Sequence, residues 1–308
     1  FGGYNAGEEF RETWEWNGTT WSLHSTSGPS ARSGHRMAFD SMRCVTVLFG
    51  GADGSGNYLN DTWEWNGTTW TQECGSCPPA TRAGHAMAYD SDRNVCVMFG
   101  GWNGSKHHDT WEYDGNSWTQ RPTSTQPSGR DKHNMAYDQV SHQVVLFGGK
   151  LNSGPAPDAD LEDTWLWDGV AGTWTEVHPL THPSIRSSHT MTFDASCGRV
   201  MLFGGRDETS IFTDTWEWQG TEWIPITTVQ SPLAGAQAAM AYDGARQEAV
   251  LFGGYATLPL NDLSGETWVY AACVVVVPTV SEWGLGVLTI IGLVVGVVLF
   301  KRRRVADA

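Results

Sequence analysis

The sequence predicts an all-β propeller of about six four-stranded blades, the first and last incomplete, followed by one C-terminal transmembrane helix. Three observations carry this reading. Phe-Gly-Gly recurs six times, at Phe1, Phe49, Phe99, Phe147, Phe203 and Phe252, with spacings of 48, 50, 48, 56 and 49 residues; a fixed period near 50 residues marks a repeat array of the propeller kind. Sixteen of the 17 Trp fall inside these repeats, and at roughly 150–250 Å² buried per aromatic side chain they suffice to join neighbouring sheets. Residues 283–300 are almost wholly apolar and uncharged, and Lys301-Arg302-Arg303-Arg304 follows at once.

The chain divides into a partial blade over 1–30, repeats over 31–80, 81–129, 130–184, 185–233 and 234–272, a linker over 273–282, the apolar run 283–300 and a basic tail 301–308. Each repeat shows four strand patterns. The first closes on an aromatic-Asp pair, Phe39-Asp40, Tyr89-Asp90, Tyr137-Asp138, Phe193-Asp194 and Tyr242-Asp243. The second, as in Val45-Thr46-Val47-Leu48-Phe49, is apolar on both faces, the pattern of a strand covered on two sides. The third alternates, Thr62-Trp63-Glu64-Trp65, and the fourth is built on one indole, Trp21, Trp70, Trp118, Trp174 or Trp223. Asn17-Gly18, Asn66-Gly67, Asp114-Gly115 and Asp168-Gly169 between strands three and four are hairpin signals.

A double glycine after strand two, then spaced aromatics on strands three and four, resembles the kelch family over residues 1 to about 270. The resemblance implies a β-propeller. Among kelch-containing enzymes, galactose oxidase needs paired Tyr and His and a Tyr–Cys crosslink at copper; here Tyr89, Tyr137 and Tyr242 close strand one, and Tyr113 and Tyr270 stand in for a repeat Trp. No nucleophile–base pattern lies outside the repeat register. A non-catalytic binding module without cofactor is the expectation, with a propeller enzyme and a passive surface or matrix protein as alternatives. Val277-Pro278-Thr279-Val280-Ser281-Glu282-Trp283-Gly284 resembles the bacterial IPTL-type C-terminal sorting signal, with Val where that family usually has Ile and Leu. That likeness implies export, a membrane sorting enzyme as partner, and possible cleavage of the anchor. An 18-residue uncharged run is long enough to span a bilayer, and the basic cluster behind it places the C-terminus in the cytoplasm and the propeller at the cell surface.

Without Lys301, Arg302, Arg303, Arg304 and Asp307, 15 Lys+Arg face 33 Asp+Glu, a net charge of −18. That excludes nucleic acid as a partner, which requires a basic footprint, and leaves an extracellular protein or a glycan. Cys74 and Cys77 are expected to close a short disulfide, Cys44 and Cys96 to be buried thiols on second strands, and Cys197 to lie in a hairpin turn. The long strand-two-to-three loops and the connections between blades emerge on one face, where binding concentrates on a rigid scaffold. Tyr58, Trp102, His107, His108, Arg206, Phe212 and Tyr255 are the candidates there; Trp102 is the only repeat-region Trp outside strands three and four. Arg-x-x-His recurs at Arg32/His35, Arg82/His85, Arg130/His133 and Arg186/His189, replaced by Gly235 and Ala238 in the last repeat. A ring of Arg at the channel mouth could hold an anion, but recurrence at equivalent positions favours a structural role. No metal site is expected, because His107-His108 lacks a third partner and the 53–57 loop lacks the acidic register of a calcium loop.

Overall fold

The computed structural model describes residues 1–5, 7–76, 78–151, 159–228, 230–258 and 262–271, and the backbone of Leu299–Arg303. Five antiparallel four-stranded sheets succeed one another. Blade 1 comprises Arg36–Asp40, Val45–Phe49, Thr62–Trp65 and Trp70–Cys74; blade 2, Ala86–Asp90, Val95–Phe99, Thr110–Tyr113 and Trp118–Gln120. Blade 3 comprises Asn134–Asp138, Gln143–Leu151, Ala159–Asp168 and Thr173–Val177, with Arg130–Asp131 paired on its lengthened second strand. Blade 4 comprises Thr190–Asp194, Arg199–Phe203, Thr215–Trp218 and Trp223–Ile226. Blade 5 comprises Ala239–Asp243, Glu248–Phe252, Thr267–Ala271 and Leu299–Arg303.

The count is therefore five four-stranded blades rather than six. Residues 1–30 supply a two-stranded sheet, Thr13–Trp16 with Trp21–Ser25, and a short pair, Tyr4–Asn5 with Glu8–Glu9, because Phe1 already stands at the end of a second strand. Blade 5, expected to stop at its third strand, gains a fourth from Leu299–Arg303, residues that the sequence divides between the apolar run and the basic tail. The remainder of that run, 283–298, and the sorting motif 277–284 lie outside the described residues. Among the described residues no helix is long and apolar enough to cross a membrane.

Local chemistry explains the blades. In the strand-one-to-two turns the closing Asp caps the loop: Asp90 Oδ1 accepts the N–H groups of Asp92 and Arg93 at 3.1 Å. The last turn residue is left-handed, with φ of 56° at Cys44, 58° at Asn94, 58° at His142 and 55° at Gln247. Cys44 is consequently an exposed free thiol in the turn and not a buried one on the strand, whereas Cys96 is buried. Between strands three and four, Trp16 pairs with Trp21, so the loop that holds Asn17-Gly18 has four residues. Asn17 Oδ1 accepts the N–H groups of Thr19 and Thr20, an Asx-type turn. Cys74 and Cys197 each take part in a disulfide; Cys77 lies outside the described residues.

Four core clusters lie at the junctions of consecutive blades, from the Val47–Phe49–Met87–Met98 group of blades 1 and 2 to the Met201–Phe203–Leu251–Trp268 group of blades 4 and 5. Each fourth-strand indole reaches back one blade: Trp118 Nε1 donates to Thr62 Oγ1 (3.0 Å), Trp174 to Thr110 (2.8 Å) and Trp223 to Thr164 (3.0 Å). The two-stranded sheet uses the same bond on both sides, since Trp70 donates to Thr13 and Trp21 to Thr267, each at 2.8 Å. It therefore occupies the sixth position of the ring, between blade 5 and blade 1.

The double glycine makes these junctions possible. The second Gly donates to the next blade's connection, as Gly51 N–H to Arg82 O and Gly149 N–H to Arg186 O, both at 2.9 Å. Gly149 has φ +99°, and a Cβ there would lie 2.7 Å from His133 Cβ and 2.9 Å from Asp131 O. Gly56 has φ +80° but open space around it. Gly149→Ala is expected to cost about 1–3 kcal/mol from strain and clash, and Gly56→Ala distinctly less; chemical denaturation of the two variants checks the ranking.

Candidate functional site

Inter-blade connections and strand-two-to-three loops meet on one face through isolated backbone bridges. Ala52 pairs with Ser33 and Tyr58, Trp102 with Ala83 and Lys106, Arg206 with Ser187 and Ile211, and Tyr255 with Ala236 and Leu263. Lys150 holds the equivalent place against Asp131, and Tyr4 pairs with Glu9. The residue after each Gly-Gly therefore stands in one fixed backbone geometry: Tyr4, Ala52, Trp102, Lys150, Arg206 and Tyr255. The backbone pairing recurs around this collar, on one side only at Tyr4, while the side chain varies, including three aromatics and two cations. Trp102, Arg206 and Tyr255 were legible as loop candidates; Tyr4 and Lys150 were missed, although the constant offset from Gly-Gly marks them.

The other sequence candidates sort differently. His107 and Phe212 share one register, each donating its N–H to the carbonyl of a second glycine, Gly101 (2.9 Å) and Gly205 (2.8 Å). Both roof a buried Arg: the Arg186 guanidinium lies 4.3 Å from the Phe212 ring centroid, and burial, then Arg82, lowers the His107 pKa. Tyr58 pairs with Ala52 one step along the loop, and His108 is exposed beside His107. Tyr58 and His108 are not members of the collar.

Arg32, Arg82, Arg130 and Arg186 are all but completely buried. Each forms a two-pronged ion pair with an Asp two residues before the first strand-three indole: Asp61, Asp109, Asp163 and Asp214, at 2.6–2.9 Å. The same Asp accepts the Nε1–H of the strand-three indole, Trp63, Trp111, Trp165 or Trp216. Arg130 spends all five donors on Asp163, Gly148 O, Ser128 O and Ser128 Oγ, so none is left for a ligand. These arginines tie strand two to strand three. Blade 5 has Gly235 in place of the Arg and Glu266 in place of the Asp; a Cβ at 235 would meet Phe212 O at 1.7 Å.

His35, His85, His133 and His189 stand edge-on to the Phe of the preceding unit, at 5.5–5.6 Å between centroids. Burial lowers all four, His85 and His133 well below the ordinary value and His189 to about 3. They stay neutral at pH 7. Just before them, a chain of backbone bonds circles the channel: Gly84 N–H to Gly34 O, Lys132 to Gly84 and Ser188 to Lys132, each 2.8 Å, then Gln237 to Ser188 at 2.9 Å.

Inside the collar sits a charged group that the sequence did not disclose. Lys106 Nζ lies 3.2 Å from Asp131 Oδ1, and Lys150 Nζ lies 3.8 Å from Asp160 Oδ2. Burial raises the Asp160 carboxyl against the opposing pull of Ser187, Lys150 and Arg206. Arg36 also lies here, its guanidinium lowered by burial and supported by the charge of Asp131. Arg36, Lys106, Lys150 and Arg206 thus stand among the carboxylates of Asp131, Asp160 and Asp207, in a chain whose net charge is −15. The mouth thus offers flat aromatic surfaces beside fixed cationic groups. Among the described residues no three His, Cys, Asp or Glu are placed to hold a metal ion.

A family model described as the KLHDC2/KLHL20/DRC7 Kelch-repeats domain matches residues 1–124 and 112–271. No curated protein matches the chain.

Proposed function

Because the chain belongs to the kelch-repeat family, we propose that it is a non-catalytic interaction module whose loop-face collar binds an extracellular protein or glycan. One observation carries this reading: at the position after Gly-Gly the backbone is paired on both sides at Ala52, Trp102, Lys150, Arg206 and Tyr255, and on one side at Tyr4, while the side chain varies among these positions. Positions that serve the repeat keep one chemistry; these do not, so the scaffold leaves them free for recognition. Aromatic and Arg side chains supply most binding hot spots, and indole or phenol faces suit both sugar rings and apolar side chains. The proposed setting is the cell surface, with the apolar run 283–300 as tether and the motif 277–284 as the feature read by a sorting enzyme; the sequence supports that setting.

Glycan arrays and surface-protein panels probed with the wild-type chain identify the ligand. Trp102→Ala and Tyr255→Ala are each expected to weaken that binding at least about tenfold, the scale of a hot-spot loss. Both side chains sit on loop bridges outside the core, so melting temperatures should stay within about 2 °C. Full affinity in both variants removes the collar as the site. Retention of no ligand favours the passive surface component.

A further inference from the structure

Two neighbouring steps of the collar differ from the rest. In blade 3 the second and third strands run nine and ten residues, against four or five in the other blades. This lengthening sets Lys150 opposite both Asp131 and Asp160. At the next step Ser187 pairs with Arg206. The flanking steps pair an alanine with an aromatic residue, Ala83 with Trp102 before and Ala236 with Tyr255 after. In collar order the side chains therefore read indole, ammonium, guanidinium and phenol, with Asp160 in reach of both cations.

At this seam of blades 3 and 4, polar groups are left over once the fold has been satisfied. The Asp160 side chain is 1% exposed and Ser187 is fully buried. Neither carboxylate oxygen of Asp160, nor the Ser187 hydroxyl, nor Arg206 Nε has a hydrogen-bond partner, although buried polar atoms nearly always find one. Ser187 faces the carboxyl without an aligned bond. The Lys150 ammonium stands 3.8 Å from Asp160 Oδ2, an ion pair without a hydrogen bond, and its flexible stem lets it yield to an entering group.

The unpaired atoms are of both kinds: an ionised carboxylate only accepts, a guanidinium only donates, and a hydroxyl does either. Charge is already balanced, because Lys150 and Arg206 act on Asp160 together with the carboxylate of Asp207. An anion entering here meets two carboxylates, and a cation meets two basic groups. Adjacent hydroxyls satisfy acceptors and donors at once and add no charge. The aromatic steps on either side suit the apolar face of a sugar ring.

We infer that the seam of blades 3 and 4 is a subsite for a neutral sugar ring with two adjacent hydroxyls, Asp160 accepting from them and Ser187 and Arg206 donating to them, flanked by Trp102 and Tyr255. The assignment rests on the collar as the binding site and narrows its ligand to a glycan.

The test titrates the full chain at pH 7 with the methyl glycosides of mannose, glucose, galactose and fucose, followed by saturation-transfer NMR, with glucuronate as the charged counterpart of the glucoside. At least one neutral glycoside is expected to bind saturably, and glucuronate no better than the glucoside. Asp160→Asn and Ser187→Ala should each weaken that binding at least about tenfold, the scale of one lost hydrogen bond to a buried group. Arg206→Lys, which keeps the charge and loses the planar fork, should weaken it to a similar degree. Ser187→Ala removes a hydroxyl that has no bond to lose, so its melting temperature should stay within about 2 °C and its result reads binding rather than folding. Tighter binding of glucuronate than of the glucoside overturns the assignment, as does unchanged affinity for a neutral glycoside in all three variants. Absence of any glycoside binding also overturns it, with water alone filling the seam. A ligand lost in Trp102→Ala and Tyr255→Ala but kept in Asp160→Asn and Ser187→Ala overturns the sugar subsite alone and leaves the collar as the site.

Discussion

Arg130→Ala is expected to destabilise the protein by about 3–5 kcal/mol, measured by chemical denaturation, because it strands a carboxylate rather than merely losing a contact. Arg130 is fully buried and Asp163 faces it through two hydrogen bonds of 2.6 and 2.7 Å. With the guanidinium gone, Asp163 keeps only the Trp165 indole N–H at 2.8 Å, and Gly148 O and Ser128 O lose their donor. Lysine should not rescue the site, since a single ammonium cannot reproduce a planar fork that reaches two carboxylate oxygens, two carbonyls and a hydroxyl. The double variant Arg130→Met with Asp163→Leu removes both charges and should recover a large part of the loss, because desolvating the pair offsets much of its attraction. If Arg130→Ala costs less than about 1 kcal/mol, the arginine is not structural and its place at the channel mouth must serve something else. Blade 5 shows that the ring accommodates one repeat without the pair, provided position 235 is glycine.

The repeat chemistry was legible because it is written at constant offsets. Phe-Gly-Gly, the strand-one Asp and the Trp pair of strand three recur at nearly fixed distances and dictate the five blades directly. The ion pairs were not legible: Asp61, Asp109, Asp163 and Asp214 are separated from their arginines by the variable loop, so the partner offset drifts from 27 to 33 residues. Cys44 was misplaced by one residue of strand boundary, since a left-handed turn position looks no different from a strand residue in an apolar run. The blade count failed at both ends of the ring for one reason. A pattern search counts Phe-Gly-Gly, which marks only the end of strand two, so it numbers the partial unit at Phe1 among six blades and gives blade 5 no fourth strand. The charged group at the mouth was hidden because Arg36, Lys106, Asp131, Lys150 and Asp160 come from three blades and are assembled only by ring closure.

Stability should fall steeply as the pH drops from about 6.5 toward 4, through the four neutral histidines of the channel. The sign follows from which state takes up the proton. In the unfolded chain each His binds one near pH 6.5, the ordinary value; in the fold, burial holds His85 and His133 well below that, and His189 at about 3. Stability from such a group is fully present above 6.5 and is lost progressively as the pH falls toward its folded value. For His189 the loss at pH 5 is about 2 kcal/mol, at 1.36 kcal/mol per unit, and His35, His85 and His133 act in the same direction. Asp160, whose carboxyl burial raises, opposes them, while Asp109 and Asp214, held low by their arginines once burial is overcome, contribute losses only below about pH 4. His189→Gln removes one titrating group while keeping a polar side chain of similar reach. It should lower stability at pH 7, through loss of the edge-on contact with Phe147, yet flatten the pH 7-to-5 slope by about 2 kcal/mol. Denaturation curves at the two pH values for both proteins decide the matter: an unchanged slope in the variant would mean that the imidazole takes up its proton inside the fold as readily as outside it.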